Sequence, residues 1–311
     1  MGNFFENMHI CRSTEEDLLM KPKLIVLVGP AGSGKSTLAK SSYPQSVYIN
    51  QDAQGKQGHK DLFTEALSQK QDIICDRMNF NKEQRNRYLA PAKEAGYETE
   101  IVILHESKET CFKRCAKRNE IGDHPTIRTE KDASKAINFF FDHYERVEDS
   151  EADQVTRIWP EKDMKLSTIV CDIDNTLSDS NHRSHHLQNG KKNWGAFFSE
   201  MNKDPVNEWC KRILNTMRPK NLIVLCSGRP DSYREVTKKW LEDNKVQYDY
   251  LFMRPRNDQR QDDTVKEIIM EWELKTQFDI SFWIDDRKQV IEKIRKHGII
   301  VLDCAGPKGD F

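Results

Sequence analysis

The sequence predicts an α/β protein built as two domains, each a parallel sheet with helices on both faces. Three observations lead there. Short apolar runs alternate with longer amphipathic stretches along the chain, the pattern of strand–helix–strand units. The alternation breaks once, around residues 148–165, and then resumes. The length of 311 residues suits two cores of ordinary size.

In the first half, strands are expected at 24–28, 47–50, 72–75 and 100–104. Helices are expected at 34–42, 56–69, 81–95, 108–120 and 130–148. In the second half, strands are expected at 168–171, 222–226, 249–253, 281–284 and 299–302. The matching helices are 206–217, 231–244, 263–277 and 287–297. Residues 1–22 are mixed and polar and read as an N-terminal arm. The first domain is placed at 23–150, a linker containing Trp159-Pro160 at 151–165, and the second domain at 166–311.

Charged residues make up 32 % of the chain, but 49 Lys+Arg nearly cancel 50 Asp+Glu. Bulk charge therefore gives no support to nucleic-acid binding, and any basic surface has to be local. The eight cysteines show no C-x-x-C pair. Cys75, Cys171 and Cys226 fall inside apolar strand patterns, where a buried thiol is the ordinary explanation. Cys111 and Cys115 lie one helical turn apart, more a packing pair than a metal clip. The expectation is a reducing, cytosolic setting. No apolar run approaches the roughly 20 residues of a membrane span. The start also lacks the pattern of a signal peptide or a myristoylation site.

The first apolar run, Leu24 to Val28, leads into Gly29-Pro30-Ala31-Gly32-Ser33-Gly34-Lys35-Ser36. This fits G-x-x-x-x-G-K-[ST] between a strand and a helix, as a phosphate-cradling loop requires. Gly29, Gly32, Ser33 and Gly34 let backbone N–H groups turn toward phosphate oxygens, and the N-terminus of the helix that carries Thr37 adds its partial positive charge. Lys35 is expected on the β/γ-phosphates of ATP and Ser36 on Mg²⁺.

Beyond the loop, each residue carries a bland reading beside the functional one. Asp52, after the second strand, is a general base or a helix cap. Asp76, at the end of the third, orients an acceptor or a metal-bound water, or is also a cap. Arg114 and Arg118 share one helical face, as a solvated surface or as a clamp on triphosphate charge.

In the second half, Thr168 to Cys171 runs into Asp172-Ile173-Asp174-Asn175-Thr176. Two carboxylates leaving a strand end can divide the labour of attacking phosphorus and moving a proton. Ser227-Gly228-Arg229 ends a later strand and offers a hydroxyl and N–H groups to phosphate. Lys266 supplies a countercharge, and Asp285-Asp286 suit a hard cation, with Asp172 and Asp174 as further metal-facing carboxylates. His182, His185 and His186 read as solvated or substrate-facing. Trp194 and Phe198, four apart, read as a core stripe.

The second set resembles the DxDxT acylphosphatase class, the haloacid dehalogenase superfamily, with Asn175 where Gly is common; Asn accepts unusual backbone angles. The whole order resembles the bacteriophage-type polynucleotide kinase 3′-phosphatases, as does the ending Gly309-Asp310-Phe311. That resemblance implies a P-loop kinase followed by a Rossmann-like phosphatase. Asp52 would be the base for a 5′-hydroxyl, with Arg114 and Arg118 a lid over ATP. Asp172 would be the nucleophile and Asp174 the acid/base, with Thr176, Arg183, Ser227 and Lys266 around the substrate phosphate and Arg254 or Arg256 as the further arginine before the motif lysine. The phage enzymes carry an acceptor-gripping Arg three residues after the base. Here that position is Gly55, followed by Lys56.

The implied function is end healing: phosphorylation of 5′-OH ends and removal of 3′-phosphate, or 2′,3′-cyclic phosphate, from RNA or DNA. The implied cofactors are ATP and Mg²⁺. The products would pass to a ligase, in the cytoplasm of a host cell if the chain is phage-encoded. No membrane partner is expected, and a homo-oligomer is admitted but not required. One rival is a small-molecule kinase fused to an unrelated phosphatase, since both modules serve many substrates. Another is a nucleotide-gated binding module, which missing catalytic groups would mark.

Overall fold

A computed structural model describes residues 21–121, 127–162, 167–188 and 192–305. The Gly309-Asp310-Phe311 ending and residues 1–20 of the arm lie outside the described residues.

The first sheet is five-stranded in the order β2-β3-β1-β4-β5, all parallel. Its strands are β1 (Lys23–Val28), β2 (Val47–Ile49), β3 (Ile73–Asp76), β4 (Glu98–Leu104) and β5 (Gln154–Ile158). Its helices are α1 (Lys35–Ser42), α2 (Gln51–Ser68), α3 (Lys82–Glu94), α4 (Lys108–Ile121) and α5 (Glu130–His143). β1 is central and buried on both faces, which is why its sequence is an unbroken apolar run. Asn50 and Asn81 accept the N–H groups of Ala53 and Gln84 and so begin α2 and α3. Thr129 and Asp132 form a reciprocal cap that begins α5.

β5 corrects the sequence reading: part of the stretch taken as a linker is the edge strand of this sheet. Only five residues long and nowhere fully buried, it lacks the apolar signature that revealed the other strands.

The second sheet is also five-stranded and parallel, in the order β10-β9-β6-β7-β8. Its strands are β6 (Ser167–Cys171), β7 (Asn221–Pro230), β8 (Tyr250–Arg254), β9 (Asp279–Asp285) and β10 (Val301–Asp303). Its helices are α6 (Trp194–Ser199), α7 (Glu208–Met217), α8 (Arg234–Asp243), α9 (Asp262–Ile269), α10 (Lys275–Gln277) and α11 (Lys288–Lys296). A π-helical segment, Met270–Leu274, joins α9 to α10.

The two sheets are not packed independently. Ile268 and Trp272 belong to the same apolar cluster as Phe140, Phe141 and Tyr144. The Trp272 ring lies 5.2 Å from Phe140 and 4.4 Å from His105. Arg260 donates to the carbonyls of Phe141 and Tyr144 at 3.0 Å each, satisfying the end of α5. Arg146 faces Glu267 and Glu271 across the same seam.

Candidate active sites

The loop between β1 and α1 turns where it must. Gly32 has φ +84° and a Cβ there would lie 2.6 Å from the Cys111 carbonyl, so both conformation and space call for glycine. Lys35 is buried and donates to the carbonyls of Gly29 at 2.8 Å and Pro30 at 2.7 Å. Burial lowers its pKa, with Asp76 acting against that shift.

Ser36 Oγ donates to Asp76 at 2.6 Å, bringing β3 and the loop to one point. Asp76 also accepts from the Tyr48 hydroxyl and from Asn50 Nδ2 at 3.2 Å. Burial and the Asp76 carboxylate push the Tyr48 phenol up to about 12. Arg114 donates to the Gly32 carbonyl at 3.3 Å and pairs with Glu106 at 2.9 Å. Arg118, one turn further along α4, adds to the lowering at Lys35 through its positive charge. Cys111 and Cys115 pack under the loop, and burial pushes the Cys111 thiol up to about 12. Asp52 and Lys56 are exposed on the first turns of α2, which breaks at Gly55 (φ 75°, ψ 176°).

In the second domain, the chain leaves β6 through Asp172 and turns at Asn175, whose φ is +63°. That positive φ is the unusual backbone angle the sequence reading expected asparagine to accept, and its side-chain oxygen also accepts from Ser180 N–H and Oγ. Lys266 is fully buried, and its ammonium bridges Asp172 and Asp285 at 2.9 Å each. Asp172, Asp285 and Asp286 have ligand atoms within 4.8 Å of one another, a donor set that fits a hard divalent cation. Burial raises the pKa of Asp172 against the pull of Lys266. Burial and Asp285 together push Asp286 up to about 6. Crowded buried acids of this kind are what a cation would relieve.

Asp174 sits differently. Burial opposes its ionisation, but Arg229 and Arg183 outweigh it and hold the carboxyl well below the usual range. Arg229 reaches it through Nη2 at 2.7 Å and Nε at 3.0 Å, and Arg183 through Nη2. Arg229 Nη1 is buried without a partner. Ser227 is buried and its hydroxyl accepts from Arg229 N–H. Thr176 Oγ1 donates to Asp286 at 3.2 Å.

Residues 166–311 match the model of the polynucleotide kinase PNKP phosphatase domain, and residues 24–142 match an AAA domain. The chain belongs to the polynucleotide kinase–phosphatase family. It is a nucleic-acid end-healing enzyme, with a 5′-hydroxyl kinase and a 3′-phosphatase on one chain. Among solved structures it is similar to a chain in "Structure of the Pnkp1/Rnl/Hen1 RNA repair complex", at 23 % identity over 96 % of this chain and 100 % of that one, TM-score 0.40. A chain in "Structure of Pnkp1/Rnl/Hen1 complex" is similar at 22 % identity over 96 % and 100 %, TM-score 0.41. A putative kinase from Chloroflexus aurantiacus is similar at 14 % identity over 44 % and 88 %, TM-score 0.36.

The polynucleotide kinase–phosphatase structure gathers Lys35, Ser36, Asp76, Arg114 and Arg118 around the loop. It gathers Asp172, Lys266, Asp285, Asp286 and Thr176 at the second centre. Arg254 is used otherwise: it donates to the carbonyls of Gly228, Asp258 and Arg260 and pins the loop before α9. Trp194 corrects the core-stripe expectation, for it is 40 % exposed while Phe197 and Phe198 carry the packing.

Sequence reading missed Asp262, which meets Lys266, Arg254 and Arg287 at 3.2–3.5 Å. Its place one turn before Lys266 was the available signal. It also missed Asp204, on no strand end and in no motif. His182 bonds Asp204, whereas His185, His186 and Glu200 gather their ligand atoms within 4.8 Å of one another.

Proposed function

We propose that the kinase transfers the γ-phosphate of ATP with Asp52 accepting the proton of a 5′-hydroxyl. Lys35, Arg114 and Arg118 neutralise charge as it develops on the transferring group. Gly29, Gly32, Ser33, Gly34 and Thr37 form the rest of the triphosphate cradle. Asp76 and Ser36 stand where a metal-bound triphosphate is anchored, and Lys56 offers charge to the acceptor's phosphate in place of an arginine.

In the phosphatase, Asp172 attacks phosphorus and the bond to the 3′-oxygen breaks, leaving an aspartyl-phosphate. Asp174, ionised between its two guanidinia in the free enzyme, takes up a proton as the substrate phosphate brings negative charge beside it, and passes that proton to the departing oxygen. It then takes one from the water that attacks the aspartyl-phosphate, releasing inorganic phosphate. Lys266, Ser227 and Gly228 hold the phosphate, and Arg229 Nη1 is the donor still unspent. Mg²⁺ held by Asp172, Asp285 and Asp286 would supply charge neutralisation at the phosphoryl oxygens. Asp172 attack on a 2′,3′-cyclic phosphate is open to the same site.

The observation that carries this reading is Lys266 bridging Asp172 and Asp285 in one buried cluster. The products, a 5′-phosphate and a 3′-hydroxyl, are what a ligase joins. The kinase-before-phosphatase order supports a bacteriophage-type enzyme at work in host cytoplasm, and its substrates are the ends of RNA or DNA. Among the described residues no helix is long and apolar enough to cross a membrane. The test is transfer of labelled phosphate from ATP to 5′-OH RNA and DNA, against nucleosides and sugars, with 3′-phosphate release measured alongside. Transfer to small molecules alone would sink the reading.

A further inference from the structure

The phosphatase centre contains a second tier of charge behind Asp174, and it converges on one side chain. Asp204 lies outside every motif, after α6 and ahead of α7, yet its carboxylate is fully buried. Oδ1 accepts from Arg183 Nε at 2.7 Å and from His182 Nε2 at 2.9 Å. Oδ2 accepts from Arg183 Nη2 at 2.6 Å, Ser178 Oγ at 3.1 Å and Arg229 Nη2 at 3.2 Å. Its backbone carbonyl accepts from Trp240 Nε1 at 2.8 Å, so the carboxylate is anchored from behind.

Arg183 therefore meets Asp204 as a two-point fork and offers the same Nη2 to Asp174. The Phe197 ring lies 3.9 Å from its guanidinium carbon and closes another side. Arg229 reaches both carboxylates through one nitrogen. Two fully buried cations thus stand between two carboxylates, the anchored Asp204 and the partly exposed Asp174. A guanidinium fork has fixed geometry, so fixing its far side fixes where its near side points.

We propose that Asp204 is a positioning residue for the phosphatase: by holding Arg183 and Arg229 it sets where the Asp174 carboxyl meets the leaving oxygen. This rests on the reading of Asp174 as the acid. Asp204 touches no reacting atom. Its effect falls on the step in which the P–O bond to the 3′-oxygen breaks and that oxygen takes the Asp174 proton. A leaving group that departs as a stable anion needs no such proton.

The experiment is first-turnover product release by full-length Asp204→Asn and Asp174→Asn. One substrate is a 3′-phosphorylated oligonucleotide and the other is p-nitrophenyl phosphate. For Asp204→Asn, release from the oligonucleotide is expected to fall at least about tenfold, toward the loss of a general acid. The p-nitrophenolate burst should fall by less than about threefold, since it is the part of the reaction that proceeds without an acid. Loss of structure would lower both alike. An equal fall on the two substrates, or no fall, overturns the proposal. If Asp204→Asn does not fold, Asp204→Glu is read the same way, because glutamate keeps the charge but its longer side chain cannot meet the Arg183 fork in the same place. Selective loss in Asp174→Asn without it in Asp204→Asn overturns the inference alone. No selective loss in Asp174→Asn overturns the acid reading beneath it.

Discussion

Asp172 and Asp174 are two residues apart and chemically alike, yet their surroundings divide them. Asp172 shares Lys266 with Asp285 and stands beside a third acid, whereas Asp174 faces two guanidinia. The two carboxylates therefore sit in separate charge environments, and this makes single substitutions informative. Asp172→Asn is expected to lower 3′-phosphate release by roughly four orders of magnitude, as removal of a nucleophile does, with kinase turnover unchanged. Lys35→Ala should do the reverse, lowering kinase kcat by roughly 10²–10³ while phosphatase rates hold. Both are read by paired assays on one preparation; loss of both activities in either variant would contradict separate centres. Most of these residues were legible in the sequence because each lies at a strand end or in the first turns of a helix, where chemistry in parallel sheets collects. Asp204 was not, because it reaches the centre from a loop.

At the scale of elements, β7 and α9 meet at Gly228. A Cβ on that residue would lie 1.9 Å from Asp262 Oδ1, so the two elements approach this closely only with glycine there. Gly228→Ala is expected to displace Asp262 from Lys266, Arg254 and Arg287, and to cost about 1–3 kcal/mol by overpacking. Urea unfolding and phosphatase assay would report it, with the kinase as internal control. An unchanged midpoint and full activity would refute the steric account. The sequence marked Gly228 as a phosphate-facing N–H, whereas the structure also shows what packs against it. The sequence missed β5 as a strand for the reason given by its position: an edge strand buries little and need not be apolar.

For the molecule as a whole, Trp272 is the contact that makes two sheets depend on each other. It is fully buried, among kinase-side aromatics, although it belongs to the phosphatase half of the chain. Trp272→Ala is expected to cost about 3–5 kcal/mol and to lower the stability of both halves together. Calorimetry would show one shifted transition or two newly separated ones; an unmoved kinase transition would argue against a shared core.

The same seam carries two oppositely shifted groups. Burial pushes His105 down to about 3 from its ordinary 6.5, and pushes Glu273, which accepts from Lys108 N–H, up to about 7 from 4.5. Between those ordinary and shifted values the unfolded chain holds more protons at His105 and fewer at Glu273. The histidine therefore makes stability rise with pH up to about 6.5, and the glutamate makes it fall with pH up to about 7. The two slopes oppose each other in the wild-type protein. Relative to it, Glu273→Gln should gain stability as pH rises from about 5 to about 7, and His105→Phe should lose it over about 4 to 6.5. Denaturant midpoints across that range give the signs directly, and parallel curves for all three proteins would contradict the account.

The sequence by itself determined two parallel α/β domains, a phosphate-cradling loop, a carboxylate pair and the motifs' order, because each is written in local spacing and apolar period. Only the tertiary structure decided which charges share a cavity, as with Asp204 behind Asp174, and that Trp272 crosses to the other half. Such contacts depend on how distant segments pack, and no short-range pattern records that.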